Sequence, residues 1–221
     1  MSAENYIPPL RYRLLTRFYD PIVRWTTRES AFKRALLAQV VADRPRHVLD
    51  LGCGTGTLTI AIAKALPDAA VSGLDADAEA LAIAAHKGRS AGVSLGLHQG
   101  FSTGMPFGDA QFDCVVSSLF FHHLTRGAKI GTLREVRRVL ALEGSLHIAD
   151  WGKPSNALMR TLFFAVQLLD GFETTRDSVT GALPELMHAV GCHRVEETTK
   201  FDTPLGTMRL FRAARWRVPT A

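Results

Sequence analysis

Val48-Leu49-Asp50-Leu51-Gly52-Cys53-Gly54-Thr55-Gly56 decides how the rest of this chain is read. Apolar, strand-compatible residues run into a glycine at every second position, and a helical pattern opens at Thr57. A buried parallel strand that turns sharply into a helix has this signature. Glycines at such a turn remove the Cβ atoms that hold a ligand away from the backbone. The helix that follows directs its free N–H groups and the positive end of its dipole at the same spot. The stretch predicts a small-molecule site at the carboxyl end of the first strand.

The spacing narrows the ligand. A dinucleotide fingerprint needs G-x-G-x-x-G, but its last position falls on Thr57 counted from Gly52 and on Thr59 counted from Gly54. What stands instead is Asp-x-Gly-x-Gly-x-Gly, beginning at Asp50. An acid before the first glycine repels a pyrophosphate and attracts an ammonium group.

Three further landmarks follow in order. Ala70–Asp75 reads as a short strand ending in an acid. An acid there can accept hydrogen bonds from both hydroxyls of a ribose, as in nucleotide-binding α/β folds generally, so Asp75 is a candidate ribose ligand. Asp77 is the better candidate to cap the next helix and is also placed to approach an adenosine. Phe112–Leu124 is a strand running into Ser117 and then into Phe120-Phe121-His122-His123. Leu133–Leu140, Glu143-Gly144 and Ser145–Asp150 read as helix, turn and buried strand.

In order and spacing these landmarks resemble the class I S-adenosylmethionine-dependent methyltransferases, particularly the small-molecule branch typified by ubiquinone and menaquinone C-methyltransferases. The resemblance covers residues 45–150 well and the flanks loosely. It implies that S-adenosyl-L-methionine places its amino-acid end on Asp50, Gly52, Cys53, Gly54 and Gly56 and its ribose on Asp75. Asp77 would lie towards the adenosine and Ser117 on the facing side. It also implies an α/β fold, a Rossmann-like seven-stranded mixed sheet in the order 3-2-1-4-5-7-6 with helices on both faces. One position departs from the pattern. The family commonly carries an acid after the third strand to meet the adenine amino group, and here Phe101 stands there. Ser102, a backbone group, or stacking by Phe101 is left to recognise adenine.

Ligands of open α/β sheets bind where the strand order reverses, so Gly52–Gly56 and Ser117–His123 should face each other across the cofactor. Methyl transfer from a sulfonium is an in-line displacement with a good leaving group, and alignment supplies most of the acceleration. A base is needed only if the acceptor must lose a proton. His122 and His123 are candidates by position and by proton affinity, and Asp150, at the end of the fifth strand, is a third. The alternative for the histidines is that one caps the following helix or packs in its loop. Trp151 is a candidate substrate wall. The stripe Met159–Phe164 reads as core more readily than as pocket lining. The remaining histidines have no partners at metal-ligand spacing, and no metal is expected.

A chain of 221 residues, 47% hydrophobic, suits one α/β domain with extra elements. No run approaches the ~20 apolar residues of a membrane span, and no signal-peptide core opens the chain. Cys53, Cys114 and Cys192 lie far apart and suggest neither zinc binding nor a disulfide framework, so a cytoplasmic location is expected. The net charge of +5 is modest. It concentrates between Leu10 and Arg46, where Arg11, Arg13, Arg17, Arg24 and Arg28 alternate with Tyr12, Phe18, Tyr19 and Trp25. Residues 1–44 are therefore read as an N-terminal helical arm or lid, and 45–221 as the S-adenosylmethionine-binding domain. Such an arm could meet RNA phosphates or an anionic membrane surface, or carry solvated arginines over the site. A small, apolar or aromatic acceptor is the leading expectation. An RNA methyltransferase, a non-catalytic cofactor-binding protein on the same scaffold, and a nicotinamide-dependent oxidoreductase are the competitors. The oligomeric state is not legible.

Overall fold

Short β-branched and leucine-rich runs alternate with helical segments along the chain, the pattern that builds a parallel sheet with helices on both faces. The computed structural model describes residues 29–216. Its strands are β1 His47–Leu51, β2 Ala70–Asp75, β3 Gly96–Gln99, β4 Phe112–Ser118, β5 Leu140–Trp151, β6 Cys192–Thr203 and β7 Gly206–Trp216. They form one sheet in the order β3-β2-β1-β4-β5-β7-β6, as expected. The first five strands run parallel, and β7 inserts antiparallel between β5 and β6. Its helices are α1 Glu29–Asp43, α2 Thr57–Ala65, α3 Ala78–Ser90, α4 Arg126–Val139, α5 Ala157–Asp170, α6 Phe172–Thr180 and α7 Leu183–Ala189, with a 3-10 turn at Phe121–His123.

Strand periodicity sorts the core into two layers. Leu49, Val115 and Leu146 face α4 and α7 through Leu133, Val136, Leu186 and Met187. Val48, Cys114 and Val116 face α1, α2 and α5 through Phe32, Leu36, Ile62 and Phe163. The described part of the expected arm, α1, is thus a layer of the sheet domain. Phe32, Leu36 and Val40 are fully buried. Asp43 at its end accepts hydrogen bonds from Ser145 Oγ (2.7 Å) and pairs with His147 Nε2 (2.9 Å) on β5. Most of the arginine-aromatic segment, residues 1–28, lies outside the described residues.

Two elements differ from the sequence reading. β5 begins at Leu140 rather than near Ser145, because Leu140 pairs with Phe112 before the strand bulges and resumes with Ser145 opposite Cys114. α6 has no counterpart in that reading: Phe172-Glu-Thr-Thr-Arg-Asp-Ser-Val-Thr is rich in residues that compete for backbone hydrogen bonds outside helices. Among the described residues no helix is long and apolar enough to cross a membrane. The three cysteines are free and buried.

β1 pairs with β2 and β4 so that Leu51 lies level with Leu74 and Ser117. The loops that leave these strands therefore open on one edge. That edge carries the candidate site.

Candidate active site

The three glycines of the first loop serve different ends. A Cβ on Gly52 would meet the Phe120 ring at 2.4 Å, and one on Gly56 would meet Ala84 at 2.7 Å, so both are required by packing. Gly54, at φ +51°, has nothing within 4 Å of its missing side chain. It is the place where the loop backbone faces open space. The N–H of Gly54 donates to Asp75 Oδ2 at 2.7 Å, and Asp75 Oδ1 accepts from Asp77 N–H at 3.0 Å. Asp77 caps α3 by accepting from the N–H groups of Glu79 and Ala80, which is the capping role expected of it.

Asp50 lies beneath this loop, 2% exposed, and accepts the Thr59 hydroxyl at 2.6 Å. Burial pushes its carboxyl up to about 6, against the hydrogen bond from Thr59. Cys53 is buried with its Sγ against Gly73, and burial drives its thiol well above the usual range. It is a packing residue. Ser117 Oγ, fully buried, donates to the Leu51 carbonyl at 2.8 Å and so ties β4 to β1. Ser102 is turned inward, its hydroxyl 2.7 Å from Thr132 Oγ1. Phe101 is 53% exposed at the same edge. Of the two side chains considered for adenine, Phe101 is the more exposed.

The second half of the edge is the loop after β4. Leu119 adopts φ +55°, a conformation that costs a non-glycine residue about 1–3 kcal/mol. Asp150 holds the loop in that turn. Its Oδ2 accepts the N–H groups of Phe121 (2.6 Å) and Phe120 (3.0 Å), and its Oδ1 accepts Trp151 N–H (2.7 Å) and meets His122 Nδ1 at 2.6 Å. Burial is the largest influence on both members of this pair and opposes charge on each. Their mutual attraction outweighs it, lowering the Asp150 carboxyl and raising the His122 imidazole. Neither histidine caps α4, because Thr125 does so. The His123 ring lies 3.9 Å from that of His122, and burial, helped by His122, lowers its proton affinity to about 3.

Residues outside the sequence reading complete this corner. Asp170, on the last turn of α5, faces both histidines at 3.6 and 3.9 Å. Lys129 is buried and donates to the Thr174 carbonyl (2.7 Å) and to Asp177 (3.1 Å), which also accepts from Arg126 (2.6 Å). These contacts bind α6 to α4 beside His122. Trp151 packs on Phe163, ring centres 5.6 Å apart, and is 5% exposed.

A methyltransferase-domain family matches residues 48–144. The demethylmenaquinone methyltransferase of Lactobacillus johnsonii is 34% identical over 169 residues, covering 72% of this chain and 68% of that protein. The chain belongs to the class I S-adenosylmethionine-dependent methyltransferases. The demethylmenaquinone methyltransferase of Deinococcus radiodurans is 30% identical over 156 residues, 69% of this chain and 61% of that protein. The chain thus spans about three-fifths of the length of that curated relative. A S-adenosylmethionine-dependent methyltransferase from Methanosarcina mazei shares the fold, with TM-score 0.63 and 18% identity over 78% of this chain and 93% of that one.

The cofactor of this methyltransferase family, S-adenosylmethionine, fits the edge just described. Gly54 leaves a cradle that a Cβ would fill. Asp75 ends β2 with a part-exposed carboxylate, and Asp50 is a buried acid that accepts the neutral Thr59 hydroxyl. A sulfonium amino acid brings a cationic ammonium group to that acid.

Proposed function

We propose that this methyltransferase transfers the methyl group of S-adenosylmethionine to a small, apolar or aromatic acceptor seated between the loop after β4 and α5. The observation that carries the reading is the open face of Gly54 beside the Asp75 carboxylate, at the edge shared with Phe120–His123. Gly54 leaves room for the amino-acid end, and Asp50 becomes its counter-charge. Asp75 exchanges its contacts with the loop for the ribose hydroxyls. When bound, the cofactor supplies a methyl group already activated on a sulfonium.

The chain's own work is alignment and exclusion of water. Asp150 fixes the backbone of Phe120–His122, so the wall facing the cofactor is rigid before anything binds. With both oxygens engaged by backbone N–H groups and His122, Asp150 serves this methyltransferase as a positioning residue rather than a base. His122, His123 and Asp170 form the polar end of the acceptor space. Its apolar side is supported by the outer surface of α5 and the start of α6, where Leu158, Phe164, Leu168, Leu169 and Phe172 are all exposed. An apolar rim of this kind suits a lipophilic acceptor, consistent with the quinone acceptors named for the relatives, and with contact at a membrane surface.

Calorimetric titration with S-adenosylhomocysteine, with NADH alongside, tests the first half of this reading. Saturable binding of S-adenosylhomocysteine alone is expected; binding of NADH alone overturns it. Transfer of a labelled methyl group to naphthoquinol- or phenol-type acceptors tests the second half. Labelling of RNA with strong salt dependence, and of no small acceptor, would replace it with RNA methylation.

A further inference from the structure

Three donor atoms converge between the 3-10 turn after β4 and the last turn of α5. His122, His123 and Asp170 each offer one ligand atom, and all three lie within 4.8 Å of one another. The distances inside the group are unusual. His122 Nε2 stands 3.6 Å from Asp170 Oδ2, and His123 Nδ1 stands 3.9 Å from Asp170 Oδ1. A charge-assisted N–H···O bond closes to about 2.7–2.9 Å, so no proton bridges either pair at these separations. Among the described residues the Asp170 carboxylate accepts no hydrogen bond, although it is only 22% exposed.

The other side of His122 explains what its Nε2 can do. Nδ1 meets Asp150 Oδ1 at 2.6 Å, and Asp150 is itself held by backbone N–H groups. With Nδ1–H held by Asp150, Nε2 is the ring nitrogen turned towards Asp170, and its lone pair becomes available there once an entering cation displaces the Nε2 proton. Metal-binding histidines carry this outer hydrogen bond to a carboxylate, which sets their tautomer and ring orientation. Three donor atoms within 4.8 Å of one another, with neither histidine hydrogen-bonded to the carboxylate between them, describe a cation site.

We propose that His122 Nε2, His123 and Asp170 bind a divalent transition cation of the zinc or iron(II) type. Two imidazoles and one carboxylate suit such ions, whereas calcium and magnesium prefer oxygen donors throughout. Ligand bonds of about 2.0–2.2 Å at tetrahedral angles place neighbouring donors roughly 3.3–3.6 Å apart, so the group contracts only slightly on binding. Asp170 is the member that moves: it ends α5, and Gly171 follows at φ +97°. One turn earlier on the same face of α5, Gln167 has a buried Oε1 with no hydrogen-bond partner among the described residues. Three protein ligands leave coordination positions for water or for an oxygen of the acceptor. The acceptor class this favours carries a hydroxyl or carbonyl oxygen at its polar end.

The cation site stands on this geometry alone, and only the assignment of its oxygen ligand rests on the methyltransferase reading. The test uses the full chain, stripped with a chelator and dialysed. Cobalt(II) is titrated in and followed by its visible ligand-field absorption, with zinc chloride followed by calorimetry. S-adenosylhomocysteine is titrated into the same samples. One cation per chain is expected, with an intense cobalt band that differs from the aquated ion. Asp170→Asn, which keeps the shape of a side chain at the helix end, should weaken the cation at least tenfold and leave S-adenosylhomocysteine affinity unchanged. His123→Gln should do the same. Absence of stoichiometric binding, or binding that Asp170→Asn does not weaken, overturns the site. Loss of S-adenosylhomocysteine binding with the cation retained would instead count against the cofactor reading.

Discussion

The ring Nδ1 of His122 and Oδ1 of Asp150 lie 2.6 Å apart, with both side chains under 5% exposed. The pair joins the end of β5 to the loop after β4, and the same carboxylate takes the N–H groups of Phe120 and Phe121. Removing it leaves an uncompensated imidazole and four backbone donors, the N–H groups of Phe120, Phe121, His122 and Trp151, without their acceptor. Breaking a buried pair by deleting one partner costs about 3–5 kcal/mol. Asp150→Ala should lower the urea unfolding free energy by that order. A variant with unchanged stability and lost turnover would show that the carboxylate is a base and not a tie.

Gly54→Val should abolish S-adenosylhomocysteine binding, since its side chain would enter the space now open in front of the loop. The φ of +51° adds backbone strain for any branched residue. Calorimetry on protein shown folded by circular dichroism checks this. Retained affinity would move the cofactor elsewhere.

Asp75→Ala should weaken S-adenosylhomocysteine roughly 10–100-fold, because hydrogen bonds to a charged partner contribute about 1.5–3 kcal/mol each. Asp77 still caps α3, so the far-ultraviolet spectrum should not change. Unchanged affinity would remove Asp75 from the ribose.

Asp50 gives the empty protein a distinctive acid limb. Its carboxyl is raised by burial to about 6 from an ordinary 3.8. Between about pH 4 and 6 the native state therefore holds a proton that the unfolded chain has released. Stability from this group is full below pH 4 and is lost as pH rises through 6, by about 3 kcal/mol for a shift of this size. Affinity for an ammonium-bearing cofactor runs the opposite way and falls as pH drops through 6. Asp50→Asn should flatten the difference in unfolding free energy across this window. Parallel stability profiles for the two proteins would show that Asp50 is not perturbed.

The strand order and the glycine loop were legible because they rest on local rules. The apolar runs Val48–Leu51 and Cys114–Val116, and a helix opening at Thr57, need no distant partner. The acceptor corner was legible only in part. His122, His123 and Asp150 were visible as polar residues at strand ends. Asp170, beyond the apolar stripe Met159–Phe164, and Lys129 belong to no motif that singles them out. Their roles depend on α6, whose threonine-rich sequence conceals a helix held by Lys129 and Arg126 through Asp177. The reading of Ser117 and Ser102 as ligand contacts could not foresee that Leu51 and Thr132 take their hydroxyls. Cys53 was placed in the loop correctly, but its thiol turns beneath it, against Gly73.

Gly52 and Phe120 come from different βα loops, yet the ring fills the volume that a side chain at 52 would need. The two positions share a single allotment of space, so they cannot be altered independently. Gly52→Ala would be tolerated only alongside a smaller residue at 120, and that exchange would open a gap beside His122. Any change of size at Phe120 therefore also re-tunes the glycine loop, which, on the proposed placement of the acceptor, would couple the choice of acceptor to cofactor affinity.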